Sequence, residues 1–492
     1  MSKGLNIGST IVLSSKRSFL RSPALFVSVA WLLSVTATGC FTQTKSSSID
    51  AFIRALANRS QFSGSILVSE HGQAIYENGF GFADVKNKVP FTTTTPCYLA
   101  SLSKQFTAMA VMILQEQGKI SYADPLSKFF PEFPFYAQKV TIRNLLNHTS
   151  GISDYVGLGL EHPGLTNRDV FKALIALDSL EFTPGEKFQY SNSNYILLAM
   201  IIEKISGTSY REYLKQHIFD PLSMNNTFVR DESHPPASAA ARAYNRFGDD
   251  ADYDLLTYGE GGIYSSVHDM YKWDQSLYTE KLVKKSTLSE AFKRATLNDG
   301  TISGYGFGWA LAKYDTETIM AHAGRYGGFN TYIKRFPDEQ SAIIFLTNHD
   351  FKNMSPIGNA LINILRDKPY GLPKLSVADM MFRTYKASDI ASAIHQYLVL
   401  KANNDTTYDF SESELNELGY EFLAMKSYPE AIEILKLNVE EFPSSSNVYD
   451  GLGEAYMDHG ERDLAIQNYR KSLELDSGNT NAVMRLKKLN AR

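Results

Sequence analysis

Cysteine is nearly absent. Cys40 and Cys97 are the only two in 492 residues, too few for a disulfide framework. Excess positive charge is absent too. The formal net charge is −4, and no basic stripe runs along the chain, so a nucleic-acid partner is excluded. No apolar run is long enough to span a bilayer securely; the longest lies between Ala24 and Val35. Metal-binding spacing is missing as well. There is no His-Glu-x-x-His and no paired Cys/His cluster among the ten scattered histidines. No phosphate loop is present, because the Gly-rich stretch Thr257–Ser266 lacks a following Gly-Lys-Ser/Thr. That stretch reads as close backbone packing.

The apolar run from Ala24 has its own meaning. Lys3, Lys16, Arg17 and Arg21 precede it, and small residues and Cys40 follow. This is the order of an export signal. Ala37-Thr38-Gly39-Cys40 is similar to a lipoprotein cleavage box, with Ala37 where an aliphatic residue is usual. The expectation is an exported, periplasmic or extracytoplasmic protein. Cys40 is the candidate lipid anchor to a membrane, against an ordinary signal in which it is idle. Cys97 reads as a small packed hydrophobe.

A 43% hydrophobic chain of this length supports two or three domains. Four segments are delimited, two of them domains: the export segment and spacer, 1–45; a mixed domain, 46–368; a helical linker, 369–410; and a helical tail, 411–492. In the mixed domain, Ile49–Ala57 predicts a helix, and Gly64–Ser69 and Ala74–Phe82 predict strands around a His71-Gly72 turn. Late strands are predicted at Gly306–Lys313, Thr318–His322, Phe329–Phe336 and Ser341–Thr347. Helical patterns fill the middle. Early strands, a helical middle and late strands imply an α/β (α+β) fold, an antiparallel sheet built from both chain ends with helices on its faces. In the tail, Leu418, Gly419, Phe422 and Ala431 recur 34 residues later as Leu452, Gly453, Tyr456 and Ala465. That period and those residue types match tetratricopeptide repeats. The tail reads either as a groove for a protein partner or as a helical appendage that stabilises the rest.

Three stretches carry candidate chemistry. The first is Ser101-x-x-Lys104, at the head of an apolar helical run ended by Gly118. One turn apart, the hydroxyl and the amine share a helix face. A buried lysine near a helix N-terminus loses its proton readily, which makes it a base for the serine. The second is Tyr190-x-Asn192, a phenol and a carboxamide on a tight turn. The phenol can relay a proton, and the carboxamide can bind a substrate carbonyl and the lysine at once. The third is His322-Ala323-Gly324-Arg325, between two predicted strands. There a backbone N–H can join that of Ser101 in an oxyanion hole, and Gly324 permits close approach. His148, in Leu145–Ile152, reads as structural.

In this order and spacing the three stretches resemble the motifs of the serine β-lactamase/penicillin-binding-protein superfamily, closest to its class C-like branch. Leu145–Ile152, Thr183–Glu186 and Gly259–Ser265 resemble further stretches of it. The resemblance covers about residues 50–365. It implies a β-lactamase/transpeptidase-like sheet with a helical subdomain, an acyl-serine intermediate and no cofactor. It further implies Ser101 as nucleophile, Lys104 as its activator, and Tyr190 as general base and then general acid. Asn192 would orient the substrate, Arg325 would give the second oxyanion N–H, and His322 would stand beside the substrate as a donor. His-Ala-Gly replaces the Lys-Thr-Gly usual in class C enzymes, a pattern nearer the esterases and peptidases. Esterase, D-alanyl-D-alanine carboxypeptidase and β-lactamase-like activity on a small or peptide substrate are all open. The alternative is a penicillin-binding sensor whose tail holds a partner.

Overall fold

The computed structural model describes residues 44–490, apart from 232, 236–238, 252–254, 315–316 and 352–353. The expected export segment and Cys40 lie outside the described residues.

Six strands form one antiparallel sheet. They are β1 (Gly64–Glu70), β2 (Gln73–Phe80), β3 (Ala310–Tyr314), β4 (Glu317–Tyr326), β5 (Phe329–Phe336) and β6 (Ser341–Thr347). Their order across the sheet is β2-β1-β6-β5-β4-β3. The two chain ends meet where β1 pairs with β6, Gly64 opposite Thr347. Both faces are covered, and the two-residue strand period divides the core. Ile66, Val68, Tyr332, Ile343 and Phe345 face α1 (residues 44–58), which contributes Phe52 and Leu56. Leu67, Ile333, Ile344 and Leu346 face the opposite side. There α2 (Lys104–Glu116), α3 (Asn192–Ser206) and α4 (Val267–Ser276) build the larger core. The Trp273 indole N–H donates to Gln105 Oε1 at 2.9 Å, tying α4 to α2. Helix α5 (Met354–Leu365) closes the α1 face with Ile357 and Leu361.

Two late strands differ from the sequence reading. The strand expected at Gly306–Lys313 begins only at Ala310. The preceding glycines turn instead: a Cβ on Gly306 would lie 2.0 Å from Ala291 O, and Gly308 has φ +76° against Gln105. The strand expected to end at His322 runs on to Tyr326. The Gly324 region is therefore paired strand, opposite Thr331 of β5, not a connection.

Residues 377–490 carry seven helices, α6 (Val377–Ala387), α7 (Ile390–Ala402), α8 (Glu412–Ala424), α9 (Tyr428–Glu441), α10 (Ser446–His459), α11 (Arg462–Leu475) and α12 (Thr480–Asn490), and one two-residue strand, Tyr408–Asp409, which pairs in parallel with Leu375–Ser376. Helices α10 and α11 begin 34 residues after α8 and α9. Gly419 lies under Leu435 and Gly453 against Tyr469, where each small residue lets paired helices close. This region is fastened to the sheet domain by the Phe247–Phe382 ring stack and by Arg246, which pairs with Asp379 and Glu417.

Candidate active site

A small second sheet brings the nucleophile stretch to the glycine-rich stretch. Cys97–Tyr98 and Phe228–Val229 both pair with Ile263–Ser265. Leu99 N–H then donates to Ile263 O at 2.8 Å. Ser101 follows Tyr98 by three residues and Glu260 precedes Ile263 by three, so pairing the short strands brings Lys104 against Glu260. Cys97 is buried here, its Sγ 3.6 Å from Thr347 O, and burial pushes its thiol pKa up.

Ser101 lies in a 3-10 turn, Ala100–Ser103, that runs straight into α2. Ala100 has φ +48°, a left-handed conformation that costs a non-glycine residue roughly 1–3 kcal/mol. The sharp turn carries the chain from strand to helix at the nucleophile.

Lys104 is fully buried, and its Nζ touches three oxygens. It donates to Asn192 Oδ1 at 2.8 Å, to Glu260 O at 3.0 Å and to Ser101 Oγ at 3.0 Å. The first two can only accept. The serine hydroxyl alone can donate in return. A neutral Lys104 thus keeps two N–H bonds and turns its lone pair to the Ser101 proton. Burial pulls the lysine below its ordinary pKa, while Glu260 and Asp154 oppose the shift.

The carboxamide of Asn192 is held at both ends. Its Nδ2 donates to Asp154 Oδ2 at 3.3 Å, and its backbone N–H to Asp154 Oδ1 at 2.8 Å. One Nδ2 hydrogen is left for a ligand. Tyr190 lies two residues before, with Lys104 Nζ 4.9 Å above its ring centre. Burial raises the phenol well above its ordinary range, and its hydrogen bond with Ser101 pulls the other way. Tyr190 is therefore a neutral hydroxyl at rest. His148 backs its ring at 4.3 Å between centres. The histidine's Nδ1 accepts from the backbone N–H of Ser191 at 3.2 Å, so it holds the turn. Gly151 and Thr149 carbonyls take the N–H groups of Glu181 and Gly185, which pins the Thr183–Glu186 stretch beside it.

The third stretch lies in the C-terminal half of β4. Strand β3 pairs with β4 only as far as Ala321, so the β4 edge from His322 onward extends past its neighbour. Such an edge can add an extended ligand as a further strand. A Cβ on Gly324 would lie 2.2 Å from Leu99 O and 3.0 Å from Ser101 N. Only glycine lets β4 approach the nucleophile this closely. Gly324→Ala is expected to push the strand from Ser101, to lower kcat/KM by ~10², the usual effect of a misplacement near 1 Å, and to lower Tm as well, since the added Cβ overpacks the strand against Leu99 O. Steady-state kinetics beside a thermal melt checks this.

His322 has both ring nitrogens engaged. Nδ1–H donates to Ala323 O at 2.7 Å, and Nε2 accepts from Tyr305 O–H at 2.8 Å. Burial, then Lys104, lowers its pKa to about 3, so it is neutral. The donor expected from the sequence already has partners at both nitrogens. Arg325 turns its guanidinium away to Asp350, with contacts of 3.0 and 2.9 Å.

Glu260, Asp154 and Tyr305 were not singled out in the sequence. Glu260 sits inside the glycine run, and Asp154 in a loop without periodicity. Among the described residues, no group of three His, Cys, Asp or Glu side chains is placed to hold a metal ion.

A family model described as Beta-lactamase matches residues 49–365. Penicillin-binding protein 4* of Bacillus subtilis (strain 168) is 34% identical over 356 residues, which cover 68% of this chain and 78% of the relative. An octameric penicillin-binding protein homologue from Pyrococcus abyssi aligns with a TM-score of 0.58 at 28% identity, over 70% of this chain and 81% of that one. D-amino acid amidase from Ochrobactrum anthropi shares the fold, with a TM-score of 0.57 at 23% identity, over 66% of this chain and 99% of that one.

Proposed function

The chain belongs to the beta-lactamase family, a superfamily of serine hydrolases, and on that premise we propose that it is an acyl-serine hydrolase of uncharged esters and amides. The carrying observation is the set of oxygens around Lys104 Nζ, in which Ser101 Oγ alone can return a hydrogen bond. Ser101 gives its proton to Lys104 as its oxygen bonds to the substrate carbonyl carbon. The Ser101 and Arg325 N–H groups take up the oxyanion charge. Tyr190 passes a proton to the departing oxygen or nitrogen and recovers one from the lysine ammonium. Water then repeats the sequence on the acyl-enzyme and frees Ser101. Asn192 holds the substrate amide with its remaining hydrogen.

The preference for uncharged substrates rests on how the nearby cations are placed. A D-alanyl-D-alanine end or a penicillin brings a carboxylate, which calls for a cation beside the third motif. His322 is neutral there, and the Arg325 guanidinium is committed to Asp350. A panel of p-nitrophenyl esters, D-amino-acid amides, a D-alanyl-D-alanine peptide and benzylpenicillin tests this reading. Neutral esters and amides are expected to exceed the carboxylate substrates in kcat/KM by about tenfold or more, that is by at least ~1.4 kcal/mol. Equal or better turnover of the carboxylate substrates contradicts it.

A further inference from the structure

Glu260 is a carboxyl group buried at the heart of the site that the chemistry above does not use. It is 5% exposed. Thr257 Oγ1–H donates to its Oε1, and Tyr155 O–H approaches the same oxygen at 3.4 Å. Oε2 is buried without a hydrogen-bond partner. The main chain around it is fixed. Gly259, at φ +105°, is so close to Tyr195 O that a Cβ would come within 2.4 Å, and a Cβ on Gly261 would meet the Tyr98 hydroxyl at 2.5 Å. Thr107 Oγ1 donates to Gly259 O at 2.5 Å, and Gly262 N–H to the Tyr98 hydroxyl at 3.1 Å. Such tight packing delivers the Glu260 carbonyl to Lys104 Nζ at 3.0 Å and leaves the carboxyl of the same residue in the same buried pocket, outside direct ion-pair contact with the amine.

We propose that Glu260 is the buried counter-charge of Lys104, a positioning residue that acts through the lysine and sets the pH at which its free amine becomes available. This rests on the acyl-serine reading above. A buried carboxylate with an orphaned oxygen is costly unless a cation balances it. The charged and titratable groups around the pair come from several elements: Tyr98 from the small sheet, His148 and, in the loop after it, Asp154 and Tyr155, Tyr190 at the α3 entry and Tyr195 within α3, Tyr210 behind α2, and His322 on β4. Lys104 is the cation that acts on Glu260, and Glu260 acts more strongly on Lys104 than Asp154 does. Burial raises Glu260 and lowers Lys104, so both neutral forms are favoured and each ionised form supports the other.

The sign of the effect follows. The Glu260 carboxylate favours the lysine ammonium, so removing its charge frees the amine at lower pH. In Glu260→Gln, the acid limb of the kcat/KM profile on a neutral ester is expected to move down by about one pH unit, the small end of what an opposite charge at short range does. Thr257→Val keeps the carboxyl in place but removes the hydrogen bond that favours its ionised form. It is expected to move the same limb the same way, which covers a Gln variant that does not fold. Glu260→Asp, retaining the charge, is expected to keep the wild-type limb. A merely structural role would lower activity evenly at all pH values and leave the limb in place, and that outcome in Gln and Val overturns the proposal. Ser101→Ala is run beside them. If it is inactive and the limb does not move, the Glu260 assignment alone falls; if it is fully active, the acyl-serine reading falls and takes this one with it.

Discussion

Lys104→Met is expected to lower kcat/KM on neutral esters by ~10³–10⁴, at the upper end of what a positioned general base contributes. Methionine matches the buried stem in length, and Glu260, left without its cation, is expected to be protonated because of its burial, so a folded variant reports on the chemistry. Without the amine, nothing in the described site takes the Ser101 proton at short range. The phenol of Tyr190 is held neutral by burial, and His322 faces Tyr305 and Ala323 O. The variant should also lose the acid limb of the wild-type pH profile, since the group that titrates there is gone. Kinetics across pH, with a melt to show a folded protein, reads both. A variant within tenfold of wild type would remove Lys104 from the mechanism.

For Tyr190→Phe, the size of the loss should depend on the leaving group. Amide hydrolysis should fall by ~10²–10⁴, the range of general acid–base catalysis. A p-nitrophenyl ester should lose much less, because its phenolate leaves without a proton. The contrast separates two roles for the tyrosine. If it were the base for Ser101, both substrates would suffer alike in acylation. The environment favours the proton-donor role: desolvation is the largest influence on the phenol, and Asp154 and Glu260 add to it by disfavouring phenolate. The cation above the ring lies 4.9 Å from its centre, a distance suited to the ring face. Parallel loss on amide and activated ester would return the base role to Tyr190.

The sheet was legible in the sequence because its central strands are short, nearly continuous apolar runs bounded by turn residues, as strands buried on both faces are. Ile66, Leu67 and Val68 point to two different cores, and the tight turn at Gly72 closes the first hairpin. The three motifs were legible because each puts reactive residue types at short fixed spacing. What was hidden depends on contacts between distant parts of the chain. Gly324 reads in the sequence as room for a close approach, but what it makes room for is hidden: the neighbours that keep it small are Leu99 and Ser101, more than 220 residues earlier. The glycines at 259, 261 and 262 also read as packing, which they are. The meaning of Glu260 between them appears only when the short strand Ile263–Ser265 pairs beside the nucleophile. Nothing marks Ala100 as a left-handed residue, because an alanine adopts that conformation only under tertiary constraint. The state of His322 was also hidden, since its Nε2 partner is set by folding: Tyr305 lies 17 residues earlier, in the turn before β3.

The most direct test of the account is peptide mapping by mass spectrometry after the native protein is treated with a fluorophosphonate. The account predicts one adduct, on Ser101, lost in Ser101→Ala and in protein unfolded before treatment. No adduct on the folded protein, or an adduct on another residue with Ser101 unmodified, would contradict it.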